Sequence, residues 1–254
     1  MFGSEKQFKP FRPGESAAGF YEPGLDRDYI VMGGYSPQSD RVAVHEYVHL
    51  LVKHAGFNLP VWLNEGIAEL FSTLHPVGNK VQVGDLIASH FYTVGREKWI
   101  PLARLLEVKH GDPEYGGAQA HSFYAQSWGL THMLQLSRDY SPRYNAFIQL
   151  VDKGRPAAEA FEFAFNKKVP EVERDLQNYL KNNTLFFARV YSLKLDKAKD
   201  AGVSSAKLGE ADANALLACL HLNAEGKKAE AKALIEAAER SDAKSAAAAE
   251  ARAY

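Results

Sequence analysis

Two short segments do most to restrict how this chain can fold: His45-Glu46-Tyr47-Val48-His49 and, after a short connector, Pro60-Val61-Trp62-Leu63-Asn64-Glu65-Gly66-Ile67-Ala68-Glu69. Side chains four apart share one face of a helix, so a helix through the first segment aims His45 and His49 at a single point. Ser39 or Asp40 caps that helix, Val42, Val44, Leu50 and Leu51 run through it, and Gly56 stops it. A second helix is predicted from Leu63 to Thr73, with Glu65 and Glu69 one turn apart on the same face.

The side chains on these two helices are donors for a cation. A catalytic zinc takes three protein ligands and keeps its fourth position for water, and His45, His49 and Glu65 supply the three. Glu46 sits in the same turn as His45, close enough to take a proton from a water on that ion. Ligand histidines usually pass their other ring nitrogen to a carboxylate or carbonyl, and Glu69 is the expected acceptor for His45. One Zn2+ per chain is the expected cofactor.

This pair of motifs resembles the gluzincin branch of zinc metallopeptidases. The phrase Trp62 to Glu69 and the later run Tyr124-Ala125-Gln126-Ser127-Trp128 are similar to the bacterial peptidase MA-like families, over about residues 17 to 182. The resemblance implies an α+β, mainly helical fold: a thermolysin-like zincin unit with a small N-terminal β-hairpin. It implies hydrolysis of a peptide or protein substrate, with Glu46 as general base and then proton donor. It also implies a side-chain donor for the oxyanion of the tetrahedral intermediate, for which Tyr124 is the first candidate and His121 the second. By the same resemblance Tyr29 to Gly34 is an edge strand that holds substrate by strand addition, with Tyr29, Gly33 and Gly34 as its contacts. A plain structural hairpin is the other reading of that segment. Ile30 to Ser39 contains no carboxylate to hold a substrate's ammonium, which favours cleavage inside chains.

Composition narrows the partners. A formal net charge of −1 without a long basic run does not recommend nucleic acid or an anionic membrane, and no apolar stretch approaches the roughly 18 residues a membrane helix needs. Cys219 is the only cysteine, so disulfides do not hold the fold. Met1-Phe2-Gly3-Ser4-Glu5 lacks the pattern of a signal peptide, and the compartment stays open, export of a trimmed chain included.

The remaining segments divide the chain into a tail (1–16), a peptidase domain (17–184), an extended connector (185–205) and an alanine-rich helical segment (206–254). Short strands are expected at Ala18–Tyr21 and Asp28–Met32, joined through Pro23-Gly24. A polar connector opens at His75, and residues 81–94 read as a helix broken near Gly84 and Gly95. A short helix follows at Pro101–Val108, and His110 to Gln119 is a glycine-rich loop placed to border a cleft. On the helix from His121 to Arg138, His121, Tyr124, Trp128 and His132 form a stripe, and Trp128 and His132 read as core. Three prolines, Pro142, Pro156 and Pro170, open three further helices, and Leu185 to Leu195 alternates as a strand or connector does. From Ala206 on, Ala215, Cys219, Leu222, Gly226, Ala231, Ile235 and Ala238 fit the packing positions of a tetratricopeptide repeat. Its period of about 34 residues would begin another unit at Ala246. A generic alanine-rich hairpin is the plainer reading. A TPR-like hairpin implies a protein partner, and a catalytically silent zinc-fold scaffold acting through it is the alternative to an enzyme.

Overall fold

The computed structural model describes residues 2–12, 17–24, 27–34, 39–181, 188–192, 207–223 and 226–253. Tail positions 13–16 and most of the expected connector, 185–187 and 193–205, lie outside the described residues. In chain order the elements begin with α1 (Glu5–Phe8), β1 (Gly19–Glu22), β2 (Tyr29–Met32), α2 (Ser39–His54) and α3 (Val61–Phe71). Then come β3 (His75–Val77), β4 (Lys80–Val83), α4 (Ala88–Arg96), α5 (Leu102–Leu105), α6 (Pro113–Gly116) and α7 (Ala120–Leu136). After these follow α8 (Tyr144–Asp152), α9 (Ala157–Phe165), α10 (Val169–Lys181), β5 (Arg189–Ser192), α11 (Glu210–Asn223), α12 (Lys228–Ser241) and α13 (Ala246–Ala253). The described residues are thus mainly helical with two small sheets, the α+β class expected. They form two compact units, Met1–Gly19 with Met32–Lys194, and Phe20–Val31 with Leu195–Tyr254.

The first unit is built around α7, which is buried along nearly its whole length. A helix that is apolar on most sides must sit inside a fold, and Phe123, Trp128, Leu130, Met133 and Leu134 do so together with Trp62, Leu63, Phe147, Phe161 and Leu176. Each of the large side chains contributes roughly 2–3 kcal/mol of hydrophobic stabilisation. The contact with α3 is close because Gly66 has no side chain: a Cβ there would lie 2.1 Å from Thr131 Oγ1 and 2.4 Å from the Ser127 carbonyl oxygen. Proline supplies the N-caps Pro60, Pro101 and Pro156 of α3, α5 and α9.

Residues 75–96 depart from expectation. The helix foreseen over 81–94 is a strand followed by a shorter helix, because β3 and β4 form an antiparallel hairpin in which Val77 faces Lys80. Its two-residue turn opens with Gly78 at φ +63, the sign a type II′ turn requires at that position. Val81 and Val83 turn inward onto Leu70 and Leu136, a period of two that overrides the helical reading. The strand expected within 185–195 is present as β5, antiparallel to β4 from Lys80↔Ser192 to Val83↔Arg189. His132 ties these parts together: its Nε2 lies 2.9 Å from the Gly84 carbonyl oxygen and its Nδ1 2.6 Å from the Tyr179 hydroxyl. Trp128 and His132 are fully buried, as their stripe suggested.

In the second unit α11 and α12 form a hairpin across Gly226 (φ +77), and α13 packs on both. The core is made of small residues, Ala215, Ala218, Cys219, Ala238, Ala248 and Ala251, with Tyr29 of β2 against them. Ser245 caps α13 by accepting from the Ala248 N–H at 3.2 Å, and the helix runs from Ala246.

Candidate metal centre

Helix α2 presents His45 and His49 one turn apart, their Nε2 atoms separated by 3.1 Å. Helix α3, packed beside it, brings Glu65 Oε2 to 3.3 Å from the first and 3.4 Å from the second. In a tetrahedral site with metal–ligand bonds of about 2.0–2.1 Å, donor atoms stand roughly 3.3–3.4 Å apart, so the three atoms already have the separations of such a site. These three residues offer a set of donors for one ion.

The outward sides of both imidazoles face oxygen. His45 Nδ1 lies 3.6 Å from Glu69 Oε1, and His49 Nδ1 lies 3.3 Å from Asn64 Oδ1. Protons on the two Nδ1 atoms leave the Nε2 lone pairs pointing inward at each other and at a carboxylate. Three electron-rich atoms at that distance repel unless a cation lies among them. Glu65 Oε2 is moreover buried and turned toward both Nε2 atoms. These residues therefore fit a divalent cation. In the protein alone a proton fills that need: burial by itself would lower the pKa of His45, yet the carboxylates of Glu65 and Glu69 outweigh it and push it up to about 9. Burial would likewise raise Glu65, but the two imidazoles hold it far below the usual carboxylate range.

A further layer fixes the ligands. Glu69 Oε2 accepts from Arg41 Nη2 at 2.7 Å and lies 3.1 Å from His90 Nε2, which turns Oε1 toward His45. Against the opposing effect of burial, His90, His45 and Arg41 bring Glu69 down to about 2. Ser72 accepts from Arg41 Nε at 3.0 Å and donates to the Glu69 carbonyl at 2.6 Å. Tyr115 donates from its hydroxyl to Glu65 Oε1 at 2.9 Å, and its ring stands beside Tyr124 with centroids 6.0 Å apart. Burial first, and then the charge of Glu65, hold both phenols protonated well above the ordinary tyrosine range. Glu46 is buried, and its negative charge contributes to the raised pKa of both His45 and Tyr115, which sets it within electrostatic reach of each.

His45, Glu46, His49, Glu65, Glu69 and Tyr124 are thus gathered in one neighbourhood. The other expected positions are engaged differently. His121 is exposed in the first turn of α7, and Tyr115 takes the place beside Tyr124. Tyr29 packs into the small-residue core of the second unit, against Cys219. Around Gly33 and Gly34 the backbone is already paired: Gly33 N–H donates to the Ala18 carbonyl, and the Met32 carbonyl accepts from Phe2 N–H on the opposite edge of the strand. Gly34 lies against the backbone of Gly3 and Ser4. The hairpin expected here is present as β1 and β2, with the Met32 carbonyl on the far side of the second strand taken by Phe2.

Arg41, Asn64, Ser72, His90 and Tyr115 were not foreseen at the site. Arg41 precedes His45 by one helical turn and Asn64 adjoins Glu65, so both lay within reach of a local reading. His90 and Tyr115 are far from either motif in the chain, and only folding brings them in. No family model matches this chain, and neither a curated protein nor a solved structure does.

Proposed function

We propose that this protein is a zinc-dependent peptidase of the gluzincin kind, built on a thermolysin-like unit and cleaving peptide bonds within chains. The observation that carries the reading is the triangle of His45 Nε2, His49 Nε2 and Glu65 Oε2 with Glu46 one residue from the first ligand. His45, His49 and Glu65 would hold the ion, which supplies Lewis acidity and brings the pKa of a coordinated water toward about 7. Glu46 takes the proton released as water attacks the peptide carbonyl and returns it to the departing amine. Tyr124, kept neutral by its surroundings, donates a hydrogen bond to the oxygen on which charge develops, an interaction worth about 3 kcal/mol. Glu69 steadies the imidazole of His45 through its Nδ1 side.

The test is a peptide-library digest with a chelator control on protein purified without added zinc. About one zinc per chain and chelator-sensitive cleavage are expected. The Glu46→Gln variant should keep its metal and lose turnover by about 10²- to 10⁴-fold. Substantial turnover in that variant would falsify the role of Glu46.

A second reading draws on the helix that starts at Ala246: α11, α12 and α13 have the helix order of a TPR-like hairpin followed by the next repeat's first helix. In that reading the hairpin takes a protein partner and the zinc fold serves as a scaffold. Zinc bound at one per chain, with no peptide cut anywhere in the library, favours it.

A further inference from the structure

We infer that Tyr115 is a positioning residue for the metal ligand Glu65, and that the braced turn carrying it helps set how tightly the site holds its cation. This rests on the cation-site reading above and goes beyond it, since nothing in the two motifs points to residue 115.

Glu65 has two carboxylate oxygens and a single rotatable bond that decides which of them faces the histidines. The Tyr115 hydroxyl donates to Oε1 at 2.9 Å, which leaves Oε2 as the oxygen turned to His45 and His49. A carboxylate pinned at one oxygen is presented in one orientation, and outer partners of this kind commonly change metal affinity by 10- to 100-fold. Tyr115 is in turn held from both ends. Its ring is gripped edge-on by His110 at 4.9 Å and Phe123 at 5.7 Å. Its short helix, α6, is braced by Arg104, which makes a two-pronged contact with Glu114 at 2.8 Å through Nε and at 2.8 Å through Nη2. The same guanidinium reaches Asp112 Oδ2 at 3.0 Å, and Asp112 also accepts from the Lys109 N–H at 2.9 Å. A planar guanidinium on two carboxylates of one turn fixes its path more firmly than a single ion pair does. Arg104 itself touches no ligand, so its influence on the ion runs through the turn.

The experiment measures Zn2+ affinity of the full chain by competition with a chromophoric chelator, for the unchanged protein, Tyr115→Phe and Arg104→Met. The Co2+-loaded visible spectrum and the melting temperature of the metal-free protein are recorded alongside. Tyr115→Phe keeps the ring contacts and removes only the hydroxyl. Affinity 10- to 100-fold weaker with an altered Co2+ spectrum, in variants whose metal-free form still melts in one cooperative transition, supports the inference; Arg104→Met should show a smaller loss of the same kind. Equal affinity and spectra in all three proteins overturn it while leaving the cation site standing. Metal binding absent from the unchanged protein overturns the cation reading itself. Should Tyr115→Phe fold poorly, Arg104→Met decides alone, and unaltered affinity there sinks the proposal.

Discussion

Two histidine environments in the first unit treat the same imidazole in opposite ways. His45 sits between Glu65 and Glu69, whose charges outweigh burial and raise its pKa to about 9. His132 lies against the Tyr179 hydroxyl and the Gly84 carbonyl, and burial lowers it to about 4. The difference lies in what closes around the ring. Carboxylates make a pocket that asks for positive charge, whether a proton or a metal, whereas neutral dipoles make a pocket that keeps the ring uncharged and uses it as a structural tie.

The contrast is broken most completely by removing the charge at Glu65. In Glu65→Gln the zinc content should fall from about one per chain toward none, a loss beyond the 10- to 100-fold typical of outer-layer changes. Metal analysis after purification reads this, and NMR titration of the metal-free variant should find His45 well below its original pKa. Retention of full zinc occupancy would show that Glu65 is no ligand.

The contrast is sharpened by pH. His45 has a folded-state pKa above its unfolded value, so in metal-free protein its contribution to stability is present below about pH 6.5 and lost as pH rises through about 9. His132 has the reverse sign: its contribution is present above pH 6.5 and lost as pH falls toward about 4, because the unfolded chain takes up the proton first. The acid side should cost on the order of 3 kcal/mol. Urea unfolding between pH 4 and pH 9 reads both limbs. His132→Leu should remove the acid limb's His132 share and destabilise by roughly 2–4 kcal/mol at neutral pH, since the Tyr179 hydroxyl and Gly84 carbonyl lose their partner. An unchanged acid limb in that variant would assign the slope to other groups.

The smallest effect is expected at Asn64, whose side-chain oxygen faces His49 Nδ1 at 3.3 Å. Asn64→Ala should weaken zinc by about tenfold in a chelator competition, and no change would mean that His49 is oriented by packing alone.

Much of the candidate metal site was legible because it is local. Helical spacing places His45 and His49 together, Glu46 follows from adjacency, and Glu65 with Glu69 repeats the same logic one helix later. The hairpin at residues 75–83 was missed for an equally local reason: Lys80 to Val83 is only four residues of alternation, too short to outweigh a longer helical pattern until Leu70 and Leu136 give Val81 and Val83 somewhere to pack. The stretch Tyr29 to Gly34 shows a third case, in which the strand itself was readable and its neighbours were not. What meets a strand is set by the rest of the fold: here Ala18 pairs with Gly33 inside the hairpin, and Phe2 reaches the Met32 carbonyl from the other side.

Sequence alone determined the donor set, because three-and-four spacing on a helix fixes which side chains share a face whatever the rest of the chain does. Tertiary structure decided everything that turns the donors into a site. The close approach at Gly66 seats α3 against α7, and the folded chain brings Arg41 and His90 to Glu69 and Tyr115 to Glu65. Burial makes those charges felt strongly enough to hold His45 and His132 on opposite sides of the ordinary imidazole pKa. Burial and long-range proximity are properties of packed surfaces, and no local pattern of residues encodes them.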